Sequence, residues 1–199
     1  MHDVFIPGDA TLSPFILLHG HGGRPQDLIP IAQRFNPAAP VLGVAAPLVE
    51  DGRTTYFRHL PDGSPHPASL QEAATTLMAH IEASLSAQGL THAPTLLGFS
   101  NGADLAAYAM VTQPVPFRRA ILFHPTISGA IAGAEIEPLA VWASYGRQDP
   151  HLSETGFQAL MTALRLSGAT VTTYAHDFGH GINAAELQAA QSWLRQQKG

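Results

Sequence analysis

Six apolar runs of buried-strand length, at 15–18, 41–45, 95–99, 120–123, 140–145 and 171–175, alternate with segments of helical period. This alternation restricts the fold more than any other feature of the chain. A strand that leads through a helix into a second strand returns parallel to the first by a right-handed crossover, so the pattern predicts a mainly parallel sheet with helices on both faces. A weaker edge strand is expected at 4–6. The clearest helix carries Leu70, Ala74, Leu77, Ile81 and Leu85 on one face. Ser69 and Glu72 have capping-box spacing at its start, and Gly89 stands where a left-handed C-terminal residue is needed. A second helix with Phe157, Leu160, Met161 and Leu164 stops at Gly168, and a third bears Leu187, Ala190 and Leu194. Segments 47–67 and 124–138, rich in Gly, Pro or polar residues, read as loops. With 199 residues, no repeat and no linker, the expectation is one α/β domain over residues 1–199, large enough to hide about 70% of its unfolded surface.

Charge and composition remove several function classes. A net charge of −5 leaves no basic footprint for nucleic acid and no polybasic stretch for an anionic membrane. No apolar run approaches the roughly 20 residues of a membrane span, and the first residues lack the charged-then-apolar order of a signal peptide. A soluble, cytoplasmic protein is expected. The absence of cysteine excludes disulfides, thiolate metal sites and cysteine nucleophiles.

The chemistry is expected at the carboxyl ends of the strands. Gly98-Phe99-Ser100-Asn101-Gly102 reads G-x-S-x-G between an apolar run and a helical segment that starts at Ala103. Such a turn pushes a serine hydroxyl clear of the sheet, and glycine is needed where a side chain would collide. Alone, the pattern fits an ordinary glycine turn as well as a nucleophile. A serine also needs a base, and the base needs a partner that holds its tautomer. Asp149 follows the run 140–145 in Gly146-Arg147-Gln148-Asp149-Pro150, and His180 follows the run 171–175 in Phe178-Gly179-His180-Gly181. Each has a bland reading, as a turn acid or a loop histidine; three such residues at three strand ends are much harder to obtain by chance. Asp177, three residues from His180 in the same loop, is poorly placed to reach the imidazole. For the oxyanion, the backbone N–H of Asn101 is one expected donor and that of His21, in Leu18-His19-Gly20-His21-Gly22-Gly23, the other, with Gly22 as the alternative.

A rival reading makes His19 and His21 zinc ligands. It leaves the serine turn, Asp149 and His180 unexplained, so no metal is expected. Tyr56, Phe57 and Arg58 could line a substrate pocket or pack their loop down. Arg118, Arg119 and His124 read as structural, and His124 has no obvious partner.

With these residues identified, the chain resembles the α/β-hydrolase family of phospholipase/carboxylesterase and acyl-protein thioesterase proteins over nearly its whole length. Leu17 to Gly23 is similar to the family's LHG-x-GG block, Leu97 to Ala103 to its G-[FY]-S-[QN]-GA elbow, Gly146 to Pro150 to its G-x-x-D-P turn and Gly179 to Gly181 to its GH-G turn. Asn101 and the Tyr56-Phe57-Arg58 block look more like the bacterial carboxylesterase branch. The chain order Ser, Asp, His is also that of α/β-hydrolases. The resemblance implies a Ser100, His180, Asp149 triad that hydrolyses a small-molecule ester without cofactor. It is compatible with a homodimer, since small hydrolases of this kind are often dimers. His21 is an unusual occupant of its position, and Arg24-Pro25-Gln26-Asp27 replaces an acidic stretch. Only 124–138 occupies the place where lipid-binding relatives carry a cap, so no cap domain is expected and short-chain or aryl esters are the expected substrates. Thioesterase or lysophospholipase activity is the alternative within the family. A ligand-binding protein that does not turn over is the alternative outside it.

Overall fold

The computed structural model describes residues 2–127 and 138–197. Seven strands form one sheet in the order β1 (Val4–Ile6), β3 (Val41–Val44), β2 (Phe15–Leu18), β6 (Thr95–Phe99), β7 (Arg119–Phe123), β8 (Ala140–Gly146) and β9 (Thr170–His176). All neighbours are parallel except β1, which runs antiparallel to β3. Side chains alternate between the faces of a strand, so each central strand feeds two cores. Ile16, Leu96, Leu122 and Val141 pack with α2 (Pro67–Ala87), α3 (Asn101–Thr112) and α4 (Glu154–Leu166) on one face. Leu17, Leu97, Ile121 and Trp142 pack with α1 (Ile29–Phe35) and α5 (Ala184–Gln196) on the other. Among the described residues, no helix is long and apolar enough to cross a membrane.

The strand order creates the site. From β2 the chain places β3 on one side, whereas β6 lies on the other, so the loops leaving β2 and β6 diverge and open a crevice at the carboxyl ends. The register sets Leu18 opposite Gly98, and the segments that follow, His19 to Gly23 and Ser100, therefore flank one crevice.

Several local expectations need correction. The long helix begins at Pro67, with His66 as its cap, and not at Ser69; proline suits the first helical position because its missing N–H would be unpaired there anyway. Ser69 Oγ instead accepts the N–H of Arg58 at 2.9 Å. At the other end Gly89 has φ +67, and Leu90 N–H reaches back to the Leu85 carbonyl, as a left-handed helix end requires. Segment 47–67 is not all loop. It holds a hairpin of β4 (Leu48–Glu50) and β5 (Arg53–Thr55) about Asp51-Gly52, both at positive φ, the backbone that suits the twist of a two-residue hairpin. In α5 Ala190 is buried and Leu187 and Leu194 pack half-buried against the same core, as expected, while Glu186 and Trp193, which the pattern does not pick out, are buried more deeply. The expected absence of a cap between 124 and 138 falls mostly on 128–137, outside the described residues.

Candidate active site

Ser100 sits between β6 and α3 at φ 49 and ψ −117, a conformation that non-glycine residues seldom occupy. The surroundings enforce it. Ser100 N–H donates to the Phe123 carbonyl at 2.9 Å, and the Ser100 carbonyl accepts Asp104 N–H at 2.8 Å. A Cβ on Gly98 would lie 2.8 Å from Ala103 Cα, and one on Gly102 would run into the Leu18 carbonyl oxygen. The turn can be this tight only with glycine at both places, as the spacing of the motif predicts.

The three residues read from strand ends meet. His180 Nε2 lies 2.8 Å from Ser100 Oγ, and His180 Nδ1 lies 2.6 Å from Asp149 Oδ2. Asp149 Oδ1 accepts the backbone N–H of His151 at 2.9 Å. Burial alone would raise the Asp149 carboxyl. The hydrogen bonds from His180, from His151 N–H and from His124 outweigh it and hold the carboxyl below its ordinary value. His180 moves down from 6.5: desolvation leads, and the attraction of Asp149 does not offset it, with His124 and His151 adding repulsion. The line of a hydroxyl, an imidazole with its lone pair on Nε2, and a carboxylate can move the Ser100 proton to His180. Asp177 takes no part, since it is exposed and paired with Arg147 at 2.8 Å.

Asn101 opens α3, and the N–H groups of a first helical turn have no partner within the helix. On the opposite side of the crevice, Gly22 N–H donates to the Thr54 carbonyl at 2.7 Å, which removes Gly22 as an oxyanion donor. Thr54 Oγ1 holds the Gly23 carbonyl at 2.6 Å, so β5 clamps the glycine loop from both sides of that peptide. The metal reading of His19 meets the same obstacle. Its Nδ1 is 2.8 Å from the Gly20 carbonyl and its Nε2 accepts Ala46 N–H at 3.3 Å, so neither ring nitrogen is free for a cation.

Tyr56 and Phe57 do not line the crevice, contrary to expectation. Both are buried in the core beneath α2, and Arg58 points to solvent. Tyr56 is a strut: its hydroxyl donates to the Val44 carbonyl at 2.9 Å and accepts His19 N–H at 3.1 Å. Its own N–H donates to Asn101 Oδ1 at 3.0 Å. One residue thereby ties the β2 loop to the start of α3. The cavity beside Ser100, about 810 Å³, is instead walled by His21, Glu50, Asp51, Arg53 and His59. His59 Nδ1 lies 2.6 Å from Glu50 Oε2.

Behind Asp149 lies a group of residues that sequence reasoning missed or left as structural. His124 is fully buried at φ 51 and sets Nδ1 3.1 Å from Asp149 Oδ2 and Nε2 3.1 Å from Glu186 Oε1. His176 Nε2 is 3.4 Å from both Glu186 Oε2 and His124 Nε2. The signal for Glu186 was present: an acid on the apolar stripe of the last helix, four residues before Ala190. These ligand-type atoms approach within 4.8 Å of one another, as a metal site would require. The tautomer argues otherwise. Phe178 N–H donates to His176 Nδ1 at 3.2 Å, which puts the ring proton on Nε2, the atom that would have to bind the cation.

Against known proteins, the model of the phospholipase/carboxylesterase family matches residues 56–198. The Bacillus subtilis protein MhqD is 29% identical over 185 residues, covering 91% of this chain and 92% of that protein. A Bacillus cereus carboxylesterase structure superposes with a TM-score of 0.92 at 27% identity, over 98% of this chain and 93% of that one. A protein of unknown function from Agrobacterium tumefaciens gives 0.90 at 30% identity, over 99% and 96%.

Proposed function

Because the chain belongs to the phospholipase/carboxylesterase family of α/β-hydrolases, we propose that it is a serine esterase in which Ser100, His180 and Asp149 act as the catalytic triad. The observation that carries this reading is the unbroken hydrogen-bonded line from Ser100 Oγ through His180 to Asp149 Oδ2. His180 takes the serine proton as Oγ attacks the ester carbonyl, and the N–H groups of Asn101 and His21 hold the developing oxyanion. The alcohol departs with the proton from His180. Water, deprotonated in turn by His180, then hydrolyses the acyl-enzyme, while Asp149 keeps the imidazole in the required tautomer and stabilises its charged form. No step calls for a cofactor.

A fluorophosphonate tests the nucleophile. Intact-mass spectrometry is expected to find one adduct per chain, lost in Ser100→Ala and insensitive to EDTA. A folded protein that takes up no adduct and gives no burst with an activated ester would be a binding protein on the hydrolase fold.

The cavity wall supports short or aryl acyl groups. Leu60, Pro61 and Phe99 give it apolar surface that an aryl or short acyl group can cover, and Glu50, Asp51, Arg53 and His59 interrupt that surface, whereas each further methylene gains about 0.8 kcal/mol only where it leaves water for apolar surroundings. Across a p-nitrophenyl ester series, kcat/KM is expected to be highest for acetate and butyrate. A steady rise towards long chains would favour a lysophospholipase or acyl-thioesterase role instead.

A further inference from the structure

Asp149 Oδ2 takes an imidazole on each side, His180 from the crevice and His124 from the interior. Two of the protons on this buried group follow from their partners. His124 Nδ1 faces a carboxylate oxygen at 3.1 Å and so carries a proton. His176 Nε2 carries one because its Nδ1 is an acceptor. His124 Nε2 then faces Glu186 Oε1 at 3.1 Å. His176 Nε2 also lies 3.4 Å from His124 Nε2, so a lone pair on His124 Nε2 could accept the His176 proton, whereas a proton there would make the ring an imidazolium between two carboxylates, Glu186 Oε1 being the nearer contact. Glu186 Oε1 has no aligned hydrogen-bond donor among the described residues. A fully buried carboxylate oxygen in that position requires a counter-charge. Burial would lower His124, but Glu186 and Asp149 together raise it above its ordinary value; burial would raise Glu186, and its contacts with His124, with Ser144 and with the Asn183 N–H hold it down.

We propose that Glu186 and His124 form a buried ion pair that positions Asp149 and sets the pH at which His180 becomes a base. His124 and Glu186 touch no substrate and are positioning residues. The inference rests on the triad reading above. The groups facing His180 are Asp149, His151 and His124, with ring centroids 5.1 Å from His151 and 5.3 Å from His124. Those facing His124 are Asp149 after β8, His176 at the end of β9, Glu186 on α5 and His180 itself. Glu186 also faces His176 and takes the Asn183 N–H through Oε2. A positive charge on His124 opposes protonation of His180, so the neutral base persists to lower pH than it would beside Asp149 alone. Glu186 maintains that charge and, because it lies behind His124, cancels only part of its effect at His180.

The test is the acid limb of the kcat/KM profile for p-nitrophenyl acetate in the wild type and in Glu186→Gln. Protonated His180 cannot accept the serine proton, so wild-type activity is expected to rise with pH through a midpoint below 6.5, following the downward shift of His180. In the variant His124 loses its proton, the repulsion ends, and the limb is expected about 0.5 to 1 pH unit higher, given shifts of about 1–3 units for a single charge at this range. A variant that merely loosened packing would lower the plateau without moving the limb. An unmoved limb, or one at lower pH because His124 keeps its charge without Glu186, overturns the proposal. If Glu186→Gln does not fold, nitrogen-15 spectra of the wild-type imidazoles decide: both His124 nitrogens are expected protonated in mildly alkaline buffer, and an unprotonated Nε2 overturns it. Fluorophosphonate labelling of the same wild-type sample separates the two claims. Labelled Ser100 with an unmoved limb rejects only the ion pair, and unlabelled Ser100 rejects the triad reading and the ion pair's role with it.

Discussion

Ser100→Ala is expected to lower kcat by about six orders of magnitude, and His180→Ala by about as much, the scale seen when either member of a serine–histidine unit is removed. Each substitution abolishes the same event. Without Oγ there is nothing for His180 to deprotonate, and without the imidazole 2.8 Å away the hydroxyl stays a weak nucleophile. The double variant should therefore be no slower than either single one. What remains, about 10³ to 10⁴ above the uncatalysed rate, is the contribution of binding and of the N–H groups that hold the oxyanion. The fold should survive Ser100→Ala, since the hydrogen bonds that impose φ 49 at this position run through backbone atoms that alanine keeps. Steady-state rates for the two single variants and the double one check the prediction; losses that nearly add would mean that the residues work separately.

The parts of the site legible in the sequence share one property: each is announced by its immediate neighbours. Ser100 is bracketed by Gly98 and Gly102, whose missing side chains make room for Ala103 and the Leu18 carbonyl, and Asp149 and His180 follow runs of strand length rich in β-branched and aromatic residues. The hairpin of β4 and β5 was equally local, written in Asp51-Gly52, but its signal sat within a stretch whose glycine and proline content reads as loop. Tyr56 and Phe57 illustrate the opposite limit. Their residue types suit a ligand wall and a core equally, and nothing periodic in their segment says which way they point; contact with Val44, His19 and Asn101, all distant in the chain, decides it. The same holds for His124. Its value lies in Asp149 and Glu186, brought to it by two separate crossovers, so no window of sequence around His124 contains its partners. Glu186 alone left a trace, as a charge on an apolar helix stripe.

Asp149→Asn is expected to cost about 10⁴ in kcat, the penalty known for an amide in the place of a triad carboxylate. The carboxylate here accepts from three sides: His180 and His124 through Oδ2, and His151 N–H through Oδ1. An amide cannot accept on both atoms. If its oxygen stays on His151 N–H, its NH₂ faces two imidazole N–H groups, and relief comes only when His180 turns its Nδ1 lone pair to the amide. The proton then moves to Nε2, which meets Ser100 as a donor and not as a base. If the amide flips, its oxygen holds the imidazoles but the NH₂ opposes His151 N–H, and the negative charge that stabilised imidazolium is gone from both rings. Either arrangement weakens the base while leaving the hydroxyl and the oxyanion donors in place, so the loss should fall about two orders short of that for Ser100→Ala. Single-turnover rates with p-nitrophenyl acetate would measure it. A loss below about tenfold would mean that His180 keeps its tautomer without a carboxylate, and that the triad reduces to Ser100 and His180 alone.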